Sequence, residues 1–299
     1  MNTTTPGRSA QRTAQVARDV LSLFKLRIGT LIMVTALVGL VVTPGAAPSL
    51  GQVLVLALSV LVASAAAGAF NQYVEHVEDA LMVRTRRRAF VTGALPHHPA
   101  WLLLMGVLLT ASVATAWFAL NAAAAVYVFL GAFFYAVVYT VWLKRRSAWN
   151  IVVGGLAGSF AVLAGGAAAD PGLGPLPLLL ALVLFLWTPP HFWSLAIANC
   201  KDYEAAGVPM LPVVVGTARA ARIVFASTAA LVAASLLPLA LGAGAIYAVG
   251  ALGGGLHFLR KSWLLARNPS RASAMSSFFA SLVQLSALLV AATVDGLLR

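Results

Sequence analysis

The sequence predicts an all-α protein that crosses a membrane many times, and three observations carry that prediction. Of the 299 residues, 61% are hydrophobic and only 9% are charged, with a mean hydropathy of +0.92. That balance excludes an ordinary water-soluble domain. Apolar runs of about 20 residues recur along the chain, each long enough to cross a hydrocarbon core of about 30 Å. The charged residues fall in short segments between these runs. The alternating segments of about ten residues that mark an outer-membrane barrel do not occur. The single cysteine, Cys200, allows neither an internal disulfide nor a cysteine-based metal site. A net charge of +12, distributed as clusters between apolar runs, reads as a topological signal and an attraction to anionic lipid or substrate, not to nucleic acid.

Taken in order, residues 1–22 are polar and read as a flexible cytoplasmic tail, and residues 23–299 as one membrane-embedded domain. The first apolar run, 27–45, is too long for the core of a signal peptide and reads as a retained anchor, with a turn at Pro44, Gly45 and Pro48. Further spans are expected at 52–74, 100–119, 122–142, 150–169, 175–199, 221–241, 244–263 and 274–296, about nine in all, with polar loops at 80–99 and 200–219. Gly154, Gly155 and Gly158 form a small-residue face suited to close helix packing. With nine spans, every lysine and arginine except Arg299 falls on one side, which the positive-inside rule makes the cytoplasm. The amino terminus is then cytoplasmic and the carboxyl terminus lies outside.

Two polar stretches stand out at that cytoplasmic side. In residues 71–88, Asn71, Glu75 and Asp79 are spaced i, i+4, i+8 and share one helical face, with Glu78 beside them and His76 pointing away. Stacked carboxylates with an amide make an oxygen-rich face suited to a hard cation, and magnesium is favoured over zinc. Arg84, Arg86, Arg87 and Arg88 follow, and arginine is the natural fork for phosphate. Of these, Arg88 reads most simply as topology. In residues 187–216, Asn199, Asp202 and Tyr203 share a second face beside Lys201. Two such faces opposed would form a diphosphate–magnesium site. His191 follows Pro189 and Pro190, where the helix is expected to kink or break. An imidazole inside a span is a functional candidate, although one that merely donates to a kinked backbone reads equally well. Trp187, Phe192 and Trp193 are as apt to pack or face lipid as to line a pocket. Lys144, after Tyr135, Tyr139 and Thr140, is a further phosphate-contact candidate. His97 and His98 read as solvated loop residues.

The motif at the end of the second span, Asn71-x-x-x-Glu75-x-x-x-Asp79 followed by Arg84-Thr85-x-x-Arg88, resembles the first motif of the UbiA-type membrane prenyltransferases. Tyr139-Thr-x-Trp-Leu-Lys-Arg-Arg146, Trp187-Thr-Pro-Pro-His-Phe-Trp193 and Asp202-Tyr-x-x-Ala-Gly-Val-Pro-Met-Leu-Pro-Val-Val214 resemble the branch of that family that farnesylates heme. The sequence departs from the family pattern at Glu75, where aspartate is usual, and at Arg87 and Ala89. The resemblance implies a helical bundle around a central cavity open to the cytoplasmic side of a bacterial inner membrane. It implies magnesium-dependent transfer of a farnesyl group from farnesyl diphosphate to the 2-vinyl group of heme B, giving heme O. Asn71, Glu75, Asp79 and Asp202 would be the catalytic positions, with Glu75, Asp79 and Asp202 as metal ligands. Arg84, Arg86, Lys144 and Lys201 would hold diphosphate, and His191, Trp187, Asn199 and Tyr203 would line the substrate pocket. Its expected partners are the two substrates, the lipid bilayer and an enzyme that forms heme A. A prenyltransferase acting on a quinone precursor is the nearest alternative. An ion-coupled transporter would place its carboxylates nearer the bilayer midplane, and an assembly factor would leave the two acidic faces unexplained.

Overall fold

The computed structural model describes residues 8–45 and 48–298, and among the described residues there is no strand. The helices in chain order are α1 (Arg8–Leu23), α2 (Leu26–Val42), α3 (Leu50–Val74), α4 (His76–Leu81), α5 (Ala89–Thr92), α6 (Ala100–Ala119) and α7 (Ala122–Phe133). A π-helix (Phe134–Leu143) continues α7, and α8 (Asn150–Gly154), α9 (Leu156–Ala169) and α10 (Pro175–Ala198) follow. The chain ends with α11 (Cys200–Ala205), α12 (Leu211–Val215), α13 (Thr217–Ala234), a 3₁₀ turn (Leu237–Leu241), α14 (Ala245–Arg267) and α15 (Arg271–Leu297).

Helices stand at all nine expected positions, but the spans do not number nine by length and composition. Seven helices qualify alone among the described residues, and α1 with α2 make an eighth as a pair bent by 42°. The helix α14 falls short because His257, Arg260 and Lys261 interrupt its apolar run. Within the expected tail of residues 1–22, a helix begins at Arg8 and runs to Leu23, while residues 1–7, and Arg299 at the other end, lie outside the described residues. Leu23 is fully buried, and with Val20 it packs among Ala69, Phe90 and Trp101, so α1 has an apolar anchor.

Consecutive helices pack as neighbours, and α15 returns to touch both α10 and α2, which closes the bundle. The tightest crossing is α2 on α9. A Cβ at Gly165 would overlap the Ala36 carbonyl, and one at Gly39 would overlap the carbonyl of Val162. Close backbone approach of this kind is how helices associate where no hydrophobic effect separates them from lipid. Gly154 and Gly155 also serve packing, since a Cβ would press on Tyr139 at 2.7 Å and on Thr188 at 2.9 Å respectively. Gly158 meets nothing within 4 Å, so it takes no part in that contact. A few helix starts are capped by side chains, among them α3, with Ser49 in a capping box with Gln52, and α7, with Asn121 accepting from the Ala124 amide.

The expected break at Pro189 and Pro190 is absent: α10 runs unbroken through both. Both prolines are buried within the bundle, and hydroxyls secure the flanking backbone, Thr188 Oγ1 donating to the Leu184 carbonyl and Ser194 Oγ to that of Pro190. The chain turns instead at Asn199 (φ −120°, ψ 30°), and Asp202 therefore sits on a separate short helix.

Candidate active site

The helix α3 ends at Val74 and α4 begins at His76, with Glu75 between them at φ −94° and ψ 10°. The i→i+4 hydrogen bonds nevertheless continue, Glu75 N to Asn71 O at 3.0 Å and Asp79 N to Glu75 O at 2.8 Å. The expected common face therefore survives the break. Asn71, Glu75 and Asp79 are all buried, at 3%, 3% and 1% exposure. Buried carboxylates are tolerable only when paired, and each is. Lys144 Nζ donates to Glu75 Oε2, Arg88 to Asp79 Oδ2 and Arg145 to Glu78 Oε1. Arg88, read from sequence as a topological signal, is thus part of the pocket, and Thr85 Oγ1 donating to the Asp79 carbonyl at 2.9 Å folds its loop inward.

Other elements complete the pocket. Lys25, at the bend between α1 and α2, donates to Asn71 Oδ1 at 2.6 Å and to the Tyr135 hydroxyl at 3.3 Å. The other side of the Asn71 amide donates to Thr140 Oγ1 at 3.0 Å. Asn150, fully buried at the start of α8, donates to the Lys144 carbonyl at 3.3 Å. Neither Lys25 nor Asn150 was picked out by sequence reasoning. His97 is exposed, as the sequence predicts, and it also stacks on Tyr73 with ring centroids 3.9 Å apart, its Nε2 2.9 Å from the Tyr73 carbonyl.

The second stretch reaches this pocket through its loop. Met82, Tyr203 and Met210 are buried in one apolar cluster, and Arg84 donates to the Tyr203 hydroxyl at 3.4 Å. The two polar stretches are therefore packed together. Asp202 is half-buried, and among the described residues its carboxylate has no ion-pair partner. Asn199 donates to the Leu195 carbonyl in its own helix. Arg86 and Lys201 are exposed and join no ion pair among the described residues. The Cys200 thiol is pushed up by burial and then by Glu204, the opposite of an activated thiolate.

The expected ligand set of Glu75, Asp79 and Asp202 is not gathered: among the described residues no three His, Cys, Asp or Glu side chains come together as a metal-holding group. The reason lies in the ion pairs, which draw Glu75 and Asp79 to separate cations while Asp202 stands beyond the turn at Asn199. The donor chemistry nonetheless fits a hard cation. Glu75 Oε1, Glu78 Oε2 and Asp79 Oδ1 are each buried without a hydrogen-bond partner. Carboxylate oxygens of this kind are the hard donors that magnesium takes alongside waters or phosphate oxygens.

His191 lies deeper in the bundle, away from these charges. Its imidazole is stacked between Trp187 (centroids 4.1 Å) and Phe278 (4.6 Å), and Nδ1 lies 2.6 Å from Ser281 Oγ. Trp187 Nε1 donates to the Ser281 carbonyl at 2.9 Å. Phe192 is exposed on the outer surface and Trp193 is buried in the apolar core.

Buried acid–base pairs stand at the end of α3, within a bundle whose long helices are apolar enough to cross a membrane. The chain belongs to the UbiA prenyltransferase family, which it matches over residues 32–283. Among its relatives is Protoheme IX farnesyltransferase 2 of Paramagnetospirillum magneticum, 58% identical over 93% of this chain and 96% of the relative. Protoheme IX farnesyltransferase of Granulibacter bethesdensis is 38% identical over 93% and 90%. The fold is shared with a solved digeranylgeranylglyceryl phosphate synthase structure (TM-score 0.79, 17% identity, 95% of this chain and 100% of that one). It is shared too with a UbiA homolog from Archaeoglobus fulgidus bound to DMAPP and Mg2+ (TM-score 0.69, 16% identity, 90% and 99%).

Proposed function

We propose that this protein transfers the farnesyl group of farnesyl diphosphate to the 2-vinyl group of heme B, giving heme O and diphosphate. The observation that carries the choice of substrates is the 58% identity, over 93% of the chain, to a protein named Protoheme IX farnesyltransferase 2. The pocket adds chemistry that suits the reaction. In the transfer, the allylic C1–O bond breaks and diphosphate leaves. The terminal vinyl carbon attacks C1, and water adds to the other vinyl carbon and loses a proton. The farnesyl tail lies among apolar helices, where water reaches the allylic cation late.

The residues divide the work by charge. Lys144 and Arg88 supply positive charge where diphosphate develops its own negative charge, once they exchange their carboxylate partners for phosphate. In the free protein their charges are held by Glu75 and Asp79, and Lys25 holds Asn71 in place beside them. Glu75 and Asp79, with Glu78 beside them, carry free oxygens that would be donors to a magnesium ion, which would supply Lewis-acid neutralisation of the leaving group. Arg84, tied to Tyr203, covers the site from the loop side, and Asp202 lies on the same short helix as Tyr203. His191, held by Ser281 and stacked between two rings, is a rigid partner for the acceptor. The membrane is the bacterial inner membrane, with the amino terminus and the acidic pocket at the cytoplasmic face, as the distribution of lysine and arginine directs.

The test is to incubate purified protein with heme B, farnesyl diphosphate and magnesium, and to follow the heme by mass. The expected product carries one farnesyl group and one water. Folded protein that leaves heme B unchanged removes this reading.

A further inference from the structure

The π-helix at Phe134–Leu143 sits against the acidic pocket, and helices of this kind are rare beyond a single turn. Its consequence is directional. In an α-helix, residues five apart lie about 140° apart around the axis. In the π-helix, the Lys144 amide bonds to the carbonyl of Tyr139 at 2.9 Å, so residues five apart stand one above the other. Lys144 thereby comes onto the side of Tyr139 and reaches Glu75 in α3.

A register this uncommon requires something to hold it, and one residue ties a turn of the π-helix to α3. Thr140 is 1% exposed. Its hydroxyl donates to the carbonyl of Tyr135, five residues back, at 2.8 Å, and accepts from Asn71 Nδ2 at 3.0 Å. In an α-helix a threonine hydroxyl bonds the carbonyl three or four residues back, so the bond to Tyr135 belongs to the wide turn. Lys25 closes the ring by bonding both Asn71 and Tyr135.

We propose that Thr140 is a positioning residue: its hydroxyl, clamped between Tyr135 O and Asn71, holds the π register that puts Lys144 on Glu75 and so shapes the diphosphate pocket. The inference rests on the reading of that pocket as a prenyl-diphosphate site.

The test is a double-mutant cycle of Thr140→Val and Lys144→Met, read as equilibrium binding of an unreactive thiolo analogue of farnesyl diphosphate with magnesium, and in parallel as turnover. Thr140→Val keeps the shape and removes the hydroxyl. It is expected to weaken analogue binding about tenfold and to lower turnover about 30-fold, with the KM for heme B unchanged. In the Lys144→Met background it should have no further effect, because both changes remove the same contact. Thr140→Ser should restore both readouts to within threefold. Additive effects in the cycle, or a Thr140→Val protein that binds like wild type, would overturn the role of Thr140. If Thr140→Val does not fold, Thr140→Ser decides alone, and a tenfold loss there refutes the clamp. Binding without transfer to heme removes the proposed acceptor and leaves the Thr140 test standing. Absence of analogue binding in the wild type removes both.

Discussion

The two polar stretches of this chain look alike in sequence and are built differently. In residues 71–88 every carboxylate is drawn inward and matched by a cation, Lys144 from the end of the π-helix, Arg145 just beyond it and Arg88 from the end of the stretch itself. In residues 199–204 Tyr203 is buried, Asp202 is half-buried and unpaired among the described residues, and Lys201 is exposed. The difference teaches that burial and pairing go together. Charges held in low dielectric must be matched, and the matched set is the one that can exchange a carboxylate partner for a phosphate. The second stretch acts as a cover, fastened through Met82 packing and the Arg84–Tyr203 hydrogen bond.

Substitutions should therefore be graded by region. The largest effect is expected at Asp79→Asn, which keeps shape and removes charge. Turnover should fall about 1,000-fold, the scale of losing a preorganised charge at a reacting centre, with the protein still inserted and folded by size exclusion and thermal melting. A variant that retains a tenth of wild-type turnover would break the assignment of the first stretch. Lys144→Met should cost about 100-fold in turnover. It should also lower stability by about 3 kcal/mol, because it leaves Glu75 buried without its partner. Restoring stability with Glu75→Gln in the same protein, without restoring turnover, would separate the two roles. Asp202→Asn in the second stretch should cost about tenfold, the scale of one contact. A loss equal to that of Asp79→Asn would show the two stretches to be equivalent. The smallest effect is at the fastening: a cycle of Arg84→Ala and Tyr203→Phe should give a coupling of about 0.5–1 kcal/mol in kcat/KM. Coupling above about 2 kcal/mol would make the cover part of the binding charge.

The sequence made the helical class and the first acidic face plain, because both rest on local spacing. Asn71, Glu75 and Asp79 share a face in any helix that keeps its i→i+4 bonds, and the backbone keeps them through Glu75. What stayed hidden depends on contacts between distant positions. Lys25 lies 46 residues from Asn71 and 110 from Tyr135, and nothing local distinguishes it from a topological lysine. Arg88 is only nine residues from Asp79, but the loop turn that brings the two together leaves no pattern in composition. The π-helix did leave one faint signal. Tyr135, Tyr139 and Lys144 recur at intervals of four and five in an apolar span, wider than the three and four of an α-helix. Pro189 and Pro190 point in sequence to a kink or a break, and no break occurs, because a helix held among neighbours can run through proline with support that sequence does not display.

The central claim is that the buried carboxylates keep oxygens in reserve for a cation that arrives with diphosphate. Electron paramagnetic resonance of Mn2+ tests it directly, with the ion titrated into purified protein with and without the unreactive farnesyl diphosphate analogue. The account predicts tight Mn2+ binding only when the analogue is present, at one ion or a small whole number per chain, and its loss in Asp79→Asn. Tight analogue binding that leaves Mn2+ free in solution, or Mn2+ binding unaffected by Asp79→Asn, would contradict it.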